Sequence, residues 1–254
     1  MPAPQYAKFM LRKGNTAAWF YAHVIWTDIC NSNLPRSLQK SNQQVLATKG
    51  KNGWISPGSE GYDRNLASNK STLKQNSWDT LRIYWCPILF RGKLHIEIFD
   101  ETFPGETEEG AARVVEKVRA AVNIRCQAAA SKPNIISVDR GRGFYNPGHG
   151  QITAPFKQAL QDNGLTGIMG DNASKQPGAM ADMMLHETAV AWVRYRLAAT
   201  TPKENWRETR EEYSTRLKRC CERVNQECDV EGLCRQYPKR LKLLHDKEGC
   251  RLKY

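Results

Sequence analysis

Apolar positions in this chain come in short runs separated by polar and glycine-rich turns, and the period of each run predicts an element. Tyr6 to about Trp19 sets Phe9 and Leu11 among Lys8, Arg12 and Lys13, which predicts a helix weakened at Gly14-Asn15. Phe20 to Asp28 is rich in β-branched and aromatic residues and predicts the first strand. From Pro35 to Ser77 the pattern lapses into Ser, Asn, Gln, Lys and Gly. So long a stretch predicts an insertion or a two-stranded excursion, anchored by Trp54-Ile55. Thr80 to Pro87 predicts a strand, stopped or bulged at its proline. After an Arg91-Gly92 turn, Lys93 to Phe99 alternates with period two and completes a hairpin that buries Leu94, Ile96 and Ile98.

Thr107-Glu-Glu-Gly opens a predicted helix reaching about Cys126, with a stripe through Ala111, Val114, Val115, Val118 and Val122. Asn134 to Asp139 is a short apolar run ending in a carboxylate, followed by the turn Arg140-Gly-Arg-Gly143. Pro155 to Asn163 predicts a helix ended by Gly164, and Leu165 to Met169 a short strand. Helices are then predicted over Ala179 to Leu197, Trp206 to about Asn225, and Glu231 to His245. A hairpin plus further strands separated by helices predicts an α/β protein with a mixed sheet covered by helices.

The net charge of +12 changes this picture, because a strongly basic protein favours a polyanionic partner, usually nucleic acid. The N-terminus lacks the apolar core of a secretory signal, and no run approaches the roughly 18–20 apolar residues of a membrane span. An intracellular protein with no membrane partner is expected, its eight cysteines reduced. The five late cysteines have no C-x2-C spacing and no histidine among them, so free thiols are expected rather than zinc.

Three acids carry the candidate chemistry. Asp28 and Asp139 end apolar runs, and Glu187 lies in a long helical pattern. Carboxylates from separate segments can bridge two divalent ions about 3.5–4 Å apart for phosphodiester chemistry. Blander readings stand beside this one: a strand-end turn for Asp28 and a solvated helix face for Glu187. His186-Glu187 is not a metalloprotease motif, since Val190 occupies the place of the second histidine. Arg140-Gly-Arg-Gly143 lacks P-loop spacing; it either brings backbone and arginines to a phosphate or needs glycine for positive φ. Lys49 to Gly53 is a phosphate contact or a solvated turn, and Met180, Met183 and Met184 are core residues rather than a cofactor box. A glycoside hydrolase pair of Asp139 and Glu187 is not favoured by the basic charge.

With these residues in place, the chain resembles the catalytic part of Tc1/mariner-type DDE transposases. Val24-Ile-Trp-Thr-Asp28 resembles the first catalytic strand, Arg82 to Lys93 the hairpin with its tryptophan and Gly-Lys turn, and Ile135-Ile-Ser-Val-Asp139 the second catalytic strand. Gln176 to Glu187 resembles the approach to the third acid, and Leu233 to Leu241 with Lys247-Glu-Gly249 the family's C-terminal end. A catalytic domain over 1–200, carrying the polar insertion at 35–77 after its first strand, and a basic helical extension over 201–254 packed on it are expected. The resemblance implies an RNase H-like mixed five-stranded sheet flanked by helices. It implies Mg²⁺ or Mn²⁺ in a two-metal site at Asp28, Asp139 and Glu187, and DNA (transposon ends and target) as partner, with a homodimer as one option. Arg140, Arg142, Lys93 and Lys175 are the expected DNA contacts, and a nuclear location follows in a eukaryotic host. The chain departs from the family in Ile29, where many members have an acid, and in the Arg-Gly-Arg-Gly turn, where an asparagine and a histidine are usual. The interval from Asp139 to Glu187 is longer than in short-spaced members, which makes Asp182 the rival third ligand. The family's N-terminal helix-turn-helix domains have no counterpart, so a catalytic portion is expected. A DNA-binding relic without activity and a simple RNase H-like nuclease are the alternatives.

Overall fold

The central strand β1 (Val24–Thr27) is buried on both faces: Val24 and Trp26 enter one apolar cluster and Ile25 the other. That is why its sequence is an unbroken apolar run rather than an alternation. The computed structural model describes residues 3–12, 16–35, 80–129, 131–139, 141, 143–146, 151–168, 183–200 and 208–249. Around β1 lie β2 (Cys30–Pro35), β3 (Thr80–Phe90), β4 (Lys93–Ile98), β5 (Ile135–Ser137) and β6 (Thr166–Gly167). β3 runs antiparallel to β1, β2 and β4, whereas β5 is parallel to β1 and β6 is parallel to β5.

A single register sets both β1 and β2 against β3. Trp26 faces Leu89 and Thr27 faces Ile88; beyond Asp28 and Ile29, Cys30 faces Trp85. β1 and β2 are therefore one strand interrupted at Asp28-Ile29. The sheet has five positions, in the order β4, β3, β1/β2, β5, β6. This is the mixed, helix-flanked RNase H-like sheet that the family resemblance implies.

Two helical layers cover the sheet. One contains α1 (Ala3–Arg12), α2 (Ala17–His23), α5 (Leu185–Ala199), α6 (Arg210–Glu227), α7 (Val230–Arg235) and α8 (Tyr237–Asp246). They pack Met10, Phe20, Val193, Leu217, Leu233 and Leu241 with Trp26 and Trp85. The other contains α3 (Glu108–Arg125) and α4 (Ala154–Asp162), which pack Val114, Val118, Phe156 and Leu160 with Ile25, Ile88 and Ile136. Each fully buried side chain of this size contributes about 1.5–3 kcal/mol. Polar ties fix the first layer. Asn225 of α6 accepts from the Leu94 amide and donates to the Leu94 carbonyl, both at 2.8 Å. Tyr6 and Tyr237 share a buried hydroxyl contact of 3.0 Å. Among the described residues no helix is long and apolar enough to cross a membrane.

Several elements differ from the pattern-based reading. Phe20 to His23 is helical, not strand. Thr16 caps that helix by accepting from the Trp19 amide at 3.2 Å, and Ala17, Ala18 and Ala22 favour it. β2 is polar in sequence and is specified by its register with β3 rather than by its own pattern. β3 continues through Pro87, which faces Ile96 in β4. Carried across the break, the β1/β2 register puts Asp28 opposite Pro87, so the missing N–H falls beside an interruption of the ladder. The predicted last helix is two, α7 and α8. Pro238 lacks an amide donor, and in a continuous helix its ring would meet the Cys234 carbonyl. α6 starts at a capping box of Thr209 and Glu212, later than Trp206. The Arg91-Gly92 turn is as expected, with φ of 46° and 69°, the paired positive values of a two-residue hairpin. The insertion beyond Pro35, including Lys49 to Gly53 and Trp54-Ile55, lies outside the described residues.

Candidate active site

β1 and β5 pair in parallel, Val24 with Ile135, Ile25 with Ile136 and Trp26 with Ser137. Two residues further along the same register, Asp28 and Asp139 leave the carboxyl ends of the two strands side by side. Neighbouring strands are about 4.8 Å apart, and both aspartates line one cavity of ≈ 160 Å³ with Ile29, Glu106, Gly141, Gly143 and Phe144. The strand break at Asp28 has a local cause and a local effect: the Ile29 amide turns back to donate to Asp28 Oδ1 at 2.8 Å. Asp28 Oδ2 then faces away from its own backbone.

It faces α5. His186 Nε2 lies 3.8 Å from Asp28 Oδ2 and 3.9 Å from Glu187 Oε1. One ligand atom from each of Asp28, His186 and Glu187 falls within 4.8 Å of the other two. Glu187 is in the first turn of α5, where unpaired amides favour an anion. The helix itself is pinned. Arg216 donates to the Leu197 carbonyl at 2.8 Å, Arg240 donates to Thr188 Oγ1 at 2.8 Å, and Arg196 joins Glu227 at 2.8 Å. Ahead of the helix, Met183 and Met184 are fully buried, and Ser137 Oγ of β5 contacts Met184 Sδ at 3.7 Å. These methionines are core, as their sequence context predicts.

The structure thus places Asp139 on the same cavity as Asp28, and Glu187 with His186 near Asp28. The buried Cys30 thiol beside them is raised well above its ordinary pKa, first by burial and then by the Asp28 charge. The donors fit a divalent ion: carboxylates for a hard cation, and the buried His186, whose two ring nitrogens have no hydrogen-bond partner among the described residues. Pattern reading passed over His186 because only the absent second histidine of a protease motif was considered. Glu106, just ahead of α3, also lines the cavity with both aspartates and carries no pattern that singles it out in the sequence. Gly143 is not at positive φ; a Cβ there would lie 2.3 Å from the Thr107 carbonyl, so the glycine serves a close approach of backbones. Lys93 pairs with Phe90 after the β3–β4 turn, three residues along the register from the level of Asp28 and two strands across from it. It lines a different cleft with Arg91 and Arg125. Arg140, Arg142, Lys175 and Asp182 lie outside the described residues. The described cysteines are all free thiols.

The arrangement of sheet, helices and carboxylate-bearing strand ends defines an RNase H-like α/β domain. Its solved structural relatives include the catalytic domain of Mos1 mariner transposase, with a TM-score of 0.59 at 8% identity over 99% of this chain and 94% of that one. The Mos1 mariner paired-end complex with Mn gives 0.58 at 9%, and the Mos1 strand transfer complex 0.57 at 9%, this chain spanning 62% of each of those longer chains. At such identities the likeness establishes the fold. No protein-family model matches the sequence, and no curated protein matches it.

Proposed function

We propose that this chain is the catalytic domain of a mariner-type DDE transposase, cleaving and joining DNA with Mg²⁺ or Mn²⁺ held by Asp28, Asp139 and Glu187. The observation supporting this reading is that Asp28 has Asp139 beside it on one cavity and Glu187 of α5 near it on the other side, on the fold of the Mos1 catalytic domain. When bound, a pair of divalent ions supplies Lewis-acid charge and an activated oxygen nucleophile for attack on phosphorus.

The side chains place and hold those ions. Asp28 is central: one oxygen is fixed by the Ile29 amide, and the other is turned toward His186 and Glu187. Asp139 holds the neighbouring position on the same cavity. Glu187 projects from a helix anchored at both ends, so its approach is set by a rigid element rather than a loop. The charge of +12 supports a DNA partner, because cationic side chains displace the counterions of the phosphate backbone. The Mos1 paired-end and strand transfer complexes support transposon ends and target DNA as that partner.

The test is plasmid nicking and oligonucleotide joining with Mg²⁺ or Mn²⁺. Both reactions are expected, and both should vanish in Asp139→Asn. Nicking without joining would mean a simple nuclease. DNA retention with neither reaction would mean a binding relic.

A further inference from the structure

We infer that His186 is itself a metal ligand, giving the Asp28–Glu187 side of the site a nitrogen donor and biasing it toward Mn²⁺, Co²⁺ or Zn²⁺ over Mg²⁺. The inference rests on the metal-dependent reading above and goes beyond its three carboxylates.

Three observations carry it. His186 is fully buried, yet among the described residues neither ring nitrogen has a hydrogen-bond partner. Buried polar atoms are almost always paired, so an imidazole that the described residues leave without a hydrogen bond calls for a partner. Second, its Nε2 is aimed into the acidic site, at 3.8 Å from Asp28 Oδ2 and 3.9 Å from Glu187 Oε1. Those separations are too long for hydrogen bonds. Ligand atoms about 2.0–2.2 Å from one ion lie roughly 3–3.5 Å apart, so a small closure about an ion would complete the set. Third, the Ile29 amide occupies Asp28 Oδ1 and leaves Oδ2 as the oxygen presented to the imidazole.

The ligand chemistry then sets the preference. Mg²⁺ takes oxygen ligands and keeps much of its water. Imidazole suits borderline transition ions, and affinity for a mixed nitrogen–oxygen site rises from Mn²⁺ toward Zn²⁺. Glu187 and His186 are adjacent on one helix, so a single docking event of α5 would deliver both to Asp28.

The experiment uses Mn²⁺ as probe on the full chain without a histidine tag. Pulsed electron paramagnetic resonance should show the nitrogen coupling of a directly bound imidazole. The chain has five histidines, so His186→Gln identifies the donor: it should abolish the coupling and weaken Mn²⁺ binding by about 10- to 100-fold, while Mg²⁺ binding changes little. Because a buried position makes the variant a folding risk, unsubstituted protein carrying [¹⁵N]histidine is measured in parallel, and the coupling should change with the isotope. Mn²⁺ bound with no isotope-sensitive coupling, or with coupling that survives His186→Gln, overturns the inference but leaves the carboxylate site standing. No Mn²⁺ binding at millimolar concentration overturns both.

Discussion

Asp28 and Asp139 are neighbours because β1 and β5 share a parallel register that, carried past Trp26 and Ser137, brings the two carboxylates level. Neither acid owes its place to a loop. Each is delivered by a buried strand, and Asp28 also marks the break between β1 and β2. If they hold metal as proposed, Asp28→Asn and Asp139→Asn should each reduce Mn²⁺-dependent nicking by more than about 100-fold, since even outer partners of a metal cost 10- to 100-fold. Far-UV circular dichroism should be unchanged. Glu106→Gln, on the rim of the same cavity, should cost under about 10-fold.

Gly143 and Gly141 should behave differently although they share one turn. A Cβ at 143 would press on the Thr107 carbonyl, a main-chain atom at the start of α3, whereas one at 141 would meet the Phe144 ring at an ordinary 3.6 Å. Gly143→Ala is expected to cost about 1–3 kcal/mol, as overpacking does. Gly141→Ala should be close to neutral. Thermal unfolding of the two variants separates them.

The strand that leads to Asp139 and the hairpin at Arg91-Gly92 were legible because local chemistry and fold agree there: an apolar run buried by two layers, and a turn that needs positive φ. β2 was illegible because its residues Cys-Asn-Ser-Asn-Leu-Pro carry no alternation; β3 specifies it from far along the chain. Phe20 was misassigned because aromatic residues suit strands, while the decisive signal was the modest Thr16 cap. Asp28 and Asp139 could be nominated from their place at the ends of apolar runs, and Glu187 only from a long helical pattern. His186 could not, because its lack of hydrogen bonds among the described residues exists only in three dimensions.

Acid should weaken the β4 strand through Glu97. His95 Nε2 donates to Glu97 Oε1 at 2.5 Å, and this bond lowers the carboxyl pKa below its ordinary value. A depressed folded-state pKa stabilises the protein above the unfolded carboxylate pKa, and the contribution is lost as pH falls through the folded value. Glu97→Gln should therefore cost up to about 1 kcal/mol near neutral pH, the group being partly exposed, and the difference from the parent should fade below the ordinary carboxylate range. Urea unfolding across pH checks the sign.

Cys221 and Cys234 should resist alkylation. Burial raises both thiols to about 12, so almost no thiolate is present at pH 8. Peptide mapping after iodoacetamide should find both unmodified in the folded protein and modified in urea. Rapid labelling of either without denaturant would contradict the packing of α6 and α7 described here.

The Tyr6–Tyr237 contact joins α1 to α8, with the Tyr237 ring against Phe20 at 4.8 Å and Trp26 at 4.4 Å. Tyr6→Phe leaves the Tyr237 hydroxyl buried without this partner and should cost about 1–3 kcal/mol. Chemical denaturation is the measurement.

The interrupted central strand also sets a timetable. β1 is made well before its partners, Ile88-Leu89 on one edge and Ile135 to Ser137 on the other. Until those segments arrive, an apolar strand has two open edges, the kind of surface that recruits other chains. Pairing across such distances is slow, so synthesis at low temperature or with chaperone supply should raise the soluble yield. The same order applies to the acids: Asp28 comes level with Asp139, and near Glu187, only after β5 and α5 have been made. A nascent fragment that stops short of α5 therefore lacks the acidic cluster.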